Sequence, residues 1–271
     1  ADKLKSLFEK ERENYNKYWD DIHPFVKFGC IKEQKFYEKI KDIILFKTIG
    51  GEYITLKDYF ERSGKDGKTV YYATDERQQA QYIKMFREQG IEAVILPSML
   101  DTHFIQFLER NEKDIKFTRV DSEITDNLKD ETGESGKDDL KKADESLEKI
   151  FRDALKDDKL KIKVESLKSP SIPAVVLLSE ESRRMQDLSR MFGGGDIGHL
   201  FPSEQTLVLN RKSELIQSLL KMSADKTREN DVKIICEQAY DLAMLGHKQL
   251  EPDEMTRFIE RSSQILARIA R

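Results

Sequence analysis

A chain of 271 residues is long for one hydrophobic core and long enough for two domains. Its 38% hydrophobic and 36% charged residues indicate a soluble, helix-rich protein whose surface carries many ion pairs. The formal net charge of -4 leaves no basic patch for a phosphate backbone, and no apolar run is long enough to span a membrane. We therefore expect neither nucleic acid nor a membrane as a partner.

The first 46 residues show two apolar stripes at helical spacing, so we predict a helical connector over 1–46. The stripes comprise Leu4, Leu7, Phe8, Tyr15, Tyr18 and Trp19, and then Phe36, Tyr37, Ile40, Ile43 and Ile44. A proline removes a backbone donor and clashes with the preceding turn. We therefore expect His23-Pro24 to separate the helices.

Residues 47–120 alternate short apolar runs with helical segments, which predicts a small α/β unit. Strands are predicted at 69–73, 93–96 and 115–120, and helices at 75–89 and 101–110. Gly90 suits the left-handed cap that ends the first of these helices. Together these elements predict a small α/β/α sandwich.

The apolar content collapses after residue 120, and the acid- and glycine-rich stretch 121–137 is predicted to be a linker. The remaining residues, 138–271, are predicted to form a second domain with one three-stranded sheet. Its strands are predicted at 162–167, 174–178 and 206–210, and its helices at 138–155, 213–222, 230–245 and 252–269. The fold class is therefore α/β, or α+β, and rich in helix.

The last two predicted helices each carry a broad apolar stripe that one hairpin can cover only in part. Its members are Val232, Ile235, Ala239, Leu242, Met255, Phe258, Ile259, Ile265, Leu266 and Ile269. Pairing with the same hairpin of a second chain would give a four-helix bundle and a homodimer. The alternative is that the hairpin packs on the sheet of its own domain and that the protein is a monomer.

A second amphipathic segment precedes a glycine-rich loop. It contains Met185, Leu188, Met191 and Phe192 at helical spacing. Methionine and phenylalanine suit a surface that accepts many apolar partners, because a thioether chain repacks at low cost. An ordinary core helix has the same pattern, so this alternative stays open. The following GGGDIG lacks the lysine and the Ser/Thr of a phosphate-binding loop.

The histidines and cysteines give no sign of a metal site. His23, His103, His199 and His247 are scattered along the chain, without the close spacing that zinc ligands require. Cys30 and Cys236 are far apart, so we expect reduced thiols in a cytoplasmic protein. We assign no catalytic residue and no metal ligand.

Taken in order, these segments resemble the ninety-kilodalton heat-shock chaperone family in its bacterial branch. The most similar stretches are YNKYWDDIHPFVKFGCIKEQKFYEKIKDIILFKT, GKTVYYATDERQQAQYIKMFREQGIEAVILPSMLDTHFIQFL and QAYDLAMLGHKQLEPDEMTRFIERSSQIL. The resemblance implies the last part of the family's middle domain, followed by its carboxy-terminal dimerisation domain.

The resemblance also implies partners and site residues. Met185, Leu188, Met191 and Phe192 fall on the family's surface for unfolded client proteins, and His103 and Phe104 lie near a second part of it. A homodimer, and contacts with other chaperones, are implied in the same way. The full-length family uses ATP and Mg²⁺, but the nucleotide-binding part is not in this sequence. We therefore expect no cofactor and no enzymatic activity for this fragment.

An interpretation from another class is a small α/β enzyme fused to a helical oligomerisation domain. It requires a cleft in the first unit with titratable groups whose pKa values are shifted. The sequence alone shows no cluster of such groups.

Overall fold

The computed structural model describes residues 1–64, 68–130, 137–184 and 205–270. The chain divides into two compact units, which we call unit 1 and unit 2. Unit 1 comprises Ala1–Gln79 and Gly90–Val120, whereas unit 2 comprises Ala80–Gln89 and the chain from Asp121 onward. The fold is rich in helix and has one small sheet in each unit, as predicted.

Unit 1 begins with three helices, α1 (Asp2–Lys10), α2 (Arg12–Lys32) and α3 (Gln34–Ile40). The predicted break at His23-Pro24 is wrong, because α2 continues through Pro24. The breaks lie instead at Glu11 and Glu33, whose backbones leave the helical conformation. Burial of Tyr15, Trp19 and other apolar residues on both sides of Pro24 holds α2 together despite the missing backbone donor.

A five-stranded sheet completes unit 1. Its strands are β1 (Phe46–Thr48), β2 (Tyr53–Ile54), β3 (Thr69–Ala73), β4 (Val94–Ile95) and β5 (Lys116–Arg119), in the order β2-β1-β4-β3-β5. β3 is parallel to β4 and β5, while β1 is antiparallel to β2 and β4. The helices of this region are α4 (Leu56–Ser63) and α6 (Met99–Asn111).

Local capping explains where several of these helices begin and end. Thr55 and Asp58 form a reciprocal capping box at the start of α4, and Ser98 and Asp101 do the same for α6. Between β3 and β4 the chain forms α5 (Ala80–Glu88), which is shorter than the predicted helix and belongs to unit 2. Gly90 follows it with a φ of 64°, as the predicted left-handed cap requires.

Unit 2 contains a three-stranded sheet covered by helices. Its strands are β6 (Lys161–Glu165), β7 (Ala174–Leu178) and β8 (Gln205–Asn210), and its further helices are α7 (Lys137–Leu155), α8 (Glu214–Met222), α9 (Glu229–Leu245) and α10 (Pro252–Ile269). The strand order is β6-β8-β7, with β8 parallel to β6 and antiparallel to β7. Every residue of β7 is buried, since helices cover this strand.

Two buried polar side chains, Asn210 and Tyr82, join elements of unit 2 through hydrogen bonds. The side-chain amide of Asn210 donates to the carbonyls of Ser169 and Ile172 at 3.0 and 2.8 Å, and its oxygen accepts from the Leu167 amide at 3.0 Å. The Tyr82 hydroxyl donates to the Val176 carbonyl at 2.5 Å. These bonds hold the loop before β7, and they hold α5 against that strand.

Candidate functional site

The terminal hairpin of unit 2, formed by α9 and α10, is the first candidate. α10 begins sharply because Pro252 occupies its first turn and Glu251 forms a capping box with Glu254. α9 packs against β7 and α7, whereas α10 contacts α9. The main attachment of α10 to unit 2 is therefore its contact with α9.

Several polar pairs join α9 to α10. Arg261 of α10 donates to Asp241 at 2.5 Å and lies 3.2 Å from Glu237, and both of these carboxylates belong to α9. Gln238 donates to the Ser262 hydroxyl at 2.8 Å. Burial raises the pKa of Asp241, although the hydrogen bond from Arg261 acts in the opposite direction. Charged and polar pairs therefore fix the orientation of α10.

The opposite face of the hairpin is apolar and uncovered. Leu242, Ile259, Leu266 and Ile269 expose between 44% and 77% of their surface, and no residue of α10 is buried. A helix that buries polar groups against its neighbour and points isoleucine and leucine at water has the reverse of the usual pattern. Among the described residues, nothing covers these four side chains.

The structure divides the ten predicted dimer residues into two groups. Val232 and Ala239 are buried in the core of unit 2, and Ile235 is packed against that core. Their side chains are therefore turned toward their own unit. The exposed or half-buried group comprises Leu242, Met255, Phe258, Ile259, Ile265, Leu266 and Ile269. The predicted stripe on α9 thus serves mainly the core of unit 2, and the stripe on α10 supplies most of the uncovered surface.

The predicted client-contact residues are only partly within the described chain. Met185, Leu188, Met191 and Phe192 lie outside the described residues. His103 is half-buried, but Phe104 exposes only 1% of its surface and packs against Phe107 at a ring distance of 6.1 Å. Phe104 therefore belongs to the core of unit 1, because the helical phase of α6 turns it inward, and it offers no surface for a client.

Sequence reasoning missed an exposed aromatic surface on α2. Tyr18, Phe25 and Phe28 point to solvent, whereas Trp19 and Val26 on the same helix are buried. The signal lay in the sequence, because α2 carries more apolar residues than a single face can hold. The predicted stripe placed Tyr18 on the same face as Trp19, and neither predicted stripe included Phe25 or Phe28.

Unit 1 also contains a polar cavity of about 620 Å³ at the carboxyl ends of β3 and β4. His23 lines it, and burial, followed by the charge of Lys27, lowers the pKa of its imidazole. Its Nδ1 atom has no hydrogen-bond partner among the described residues. Asp20 also lines the cavity and accepts from the Tyr53 hydroxyl at 2.6 Å. This cavity supplies the shifted group that the enzyme interpretation requires, and the sequence alone did not indicate it.

Among the described residues, no three His, Cys, Asp or Glu side chains are grouped so that they could hold a metal ion. None of the described helices is both long enough and apolar enough to cross a membrane.

Comparison with known proteins gives a consistent family. The family model described as Hsp90 protein matches residues 2–270. The chain is 31% identical over 231 residues to Chaperone protein HtpG of Porphyromonas gingivalis, and 29% identical over 235 residues to that of Bacteroides thetaiotaomicron, covering 81% of this chain and 34% of each relative. It is 27% identical over 250 residues to that of Treponema denticola, covering 87% and 38%. The chain therefore spans about a third of the length of the curated relatives it matches.

Proposed function

The chain belongs to the Hsp90 protein family, and we propose that it forms a homodimer through α9 and α10 and binds non-native client proteins. The observation that carries the proposal is the uncovered apolar face of Leu242, Ile259, Leu266 and Ile269. A two-fold dimer would place this face against the same face of a second copy, because a two-fold interface uses one patch twice. The result would be a four-helix bundle.

The energetics favour this pairing. Complete burial of a large apolar side chain contributes about 1.5–3 kcal/mol, and each of two subunits would contribute several such side chains. The sum is of the same order as the roughly 4–15 kcal/mol that association costs. The ion pairs of Arg261 with Glu237 and Asp241 already hold α10 in one orientation, so little further ordering is needed.

Substitution of the uncovered face tests the dimer. Leu266→Ser together with Ile269→Ser should give a particle of about 32 kDa in size-exclusion chromatography with light scattering, whereas the unaltered chain should elute at about twice its 31.6 kDa. Leu215→Ser is the matched control, because Leu215 is an exposed apolar residue of α8. An unchanged mass for the double variant would contradict the assignment.

Client binding is proposed for Met185, Leu188, Met191 and Phe192 on the strength of the family and of their side-chain chemistry. Exchange of Met185, Leu188 and Phe192 for serine should weaken binding of reduced, carboxymethylated lactalbumin, measured by fluorescence anisotropy. The dimer should persist. Equal affinity in the triple variant and the unaltered chain would argue against these residues.

No catalytic step is proposed for this chain. Of the carboxylates that line the cavity of unit 1, Asp20 accepts the Tyr53 hydroxyl and Asp75 accepts the backbone amides of Arg77 and Gln78. Asp20 and Asp75 therefore have structural roles. The buried thiols of Cys30 and Cys236 are free, which suits the reducing bacterial cytoplasm that we propose as its location.

A further inference from the structure

The helix α2 has apolar residues on two faces. One face packs into unit 1 through residues that include Tyr15, Trp19, Val26 and Cys30. The other face carries Tyr18, Phe25 and Phe28, which expose between 47% and 79% of their surface. Positions 18, 25 and 28 are separated by seven and three residues, so they form one line along the helix. We call this line the α2 aromatic stripe.

The size of the stripe limits what can occupy it. Aromatic side chains bury about 150–250 Å² each, so the three rings expose roughly 350 Å² together. A stable protein interface buries about 800 Å² on each partner, so the stripe alone is too small to hold a second copy of this chain. It matches the apolar patches of a few hundred Å² that mark binding sites on monomers.

The charges around the stripe are mixed. Asp21 and Lys32 are exposed on the same side of α2, and the Lys32 ammonium lies 5.5 Å from the centre of the Phe28 ring. Asp21 lies between Tyr18 and Phe25, and Lys32 lies beyond Phe28, so the two opposite charges give no preference for an acidic or a basic partner. Aromatic rings accept many apolar side chains and lose little rotamer entropy on binding. A partner is therefore selected by its apolar side chains.

We propose that the α2 aromatic stripe is a contact surface for non-native polypeptides, which would place two or three apolar side chains of an extended segment on Phe25 and Phe28. The inference rests on the proposed chaperone function, and it adds a surface in unit 1 to the client residues of unit 2. It takes the place of the contact predicted at Phe104, whose ring is buried.

The test compares affinities for fluorescein-labelled reduced, carboxymethylated lactalbumin. Phe25→Ser together with Phe28→Ser should weaken binding at least tenfold without changing the melting temperature, because both rings lie outside the core. Leu215→Ser should bind like the unaltered chain. Binding by the double variant within twofold of the unaltered chain would overturn the proposal.

A crosslinking measurement identifies the occupant. With Phe28→p-benzoylphenylalanine, irradiation should join this position to the labelled polypeptide. Crosslinks exclusively to a second copy of the chain would overturn the proposal. If the unaltered chain does not bind the polypeptide, the proposed client binding itself fails and the stripe fails with it; if the unaltered chain binds and the stripe variant binds equally, the stripe alone is wrong.

Discussion

Lys27 and Asp101 form an ion pair inside the core of unit 1, where both side chains are almost fully buried. The ammonium of Lys27 also lies 5.8 Å from the centre of the Phe104 ring. The second carboxylate oxygen of Asp101 accepts from the Ser98 amide and hydroxyl at 2.9 and 2.8 Å. The pair therefore joins α2 to the first turn of α6, and each charge depends on the other for its solvation.

Replacement of Lys27 should show how much the stability of unit 1 depends on this ion pair. Lys27→Met leaves a buried carboxylate without its counter-ion and should lower the free energy of unfolding by about 3–5 kcal/mol. Lys17→Met, at an exposed position of the same helix, should change it by less than about 0.5 kcal/mol. Urea titrations of both variants measure the difference. Equal stability of the two would show that the pair does not support unit 1.

The two thiols should be inert in the folded chain. Burial raises the pKa of Cys30 and of Cys236 to about 12, from an ordinary value of 9.0. Ellman's reagent at pH 8 should therefore label neither thiol until denaturant is added, whereas the exposed control Ser146→Cys should react at once. Rapid labelling of the unaltered chain would contradict the buried placement.

The raised pKa values of these thiols also predict how the stability of the folded chain changes at high pH. Above pH 9 the unfolded chain releases protons that the folded chain retains, so the unfolded chain binds fewer protons. Stability should then fall as the pH rises from 9 toward 12. Replacement of both cysteines by alanine should reduce this slope.

At the scale of the element, α2 contains an internal proline whose cost can be measured. Pro24 has no amide hydrogen for the carbonyl of Asp20, and proline inside a helix costs about 3 kcal/mol relative to alanine. Pro24→Ala should raise the free energy of unfolding by up to this amount in urea titrations. Lys17→Ala is the matched control on the same helix and should change it little. A destabilised Pro24→Ala variant would contradict this account of α2.

Two strands and one long helix were predictable, because β-branched and apolar runs mark the strands and helical periodicity over several turns marks the helix. The predicted spans 69–73, 174–178 and 252–269 coincide with β3, β7 and α10. β1 and β2 were not predicted, because strands of three and two residues are too short to show an alternating pattern. These two strands form because β1 pairs with both β2 and β4, and the sequence does not show this pairing.

The neighbour against which an element packs was harder to predict than the residues that form the element. The pattern at Ile83, Met85 and Phe86 predicted α5 correctly as a helix but could not show that it belongs to unit 2. The stripe on α9 was likewise visible, but a single chain's sequence does not separate residues such as Ala239, which fill the unit's own core, from those such as Leu242 that remain exposed. Hydrophobic periodicity identifies the apolar face of a helix, but it does not identify the element or the molecule that covers this face.

At the scale of the whole molecule, each unit has its own core and its own uncovered apolar surface. In unit 2 this surface is the outer face of α9 and α10, and in unit 1 it is the α2 aromatic stripe. Polar contacts hold α10 to α9, and Ile259, Leu266 and Ile269 of α10 stay exposed among the described residues. The proposed dimer follows from this separation of polar and apolar faces.

Sedimentation equilibrium of the unaltered chain over a series of micromolar concentrations tests this claim most directly. Because apolar burial holds the proposed dimer, the fitted mass should stay near twice 31.6 kDa both at low salt and at about 1 M salt. A mass of 31.6 kDa throughout the series would contradict the account.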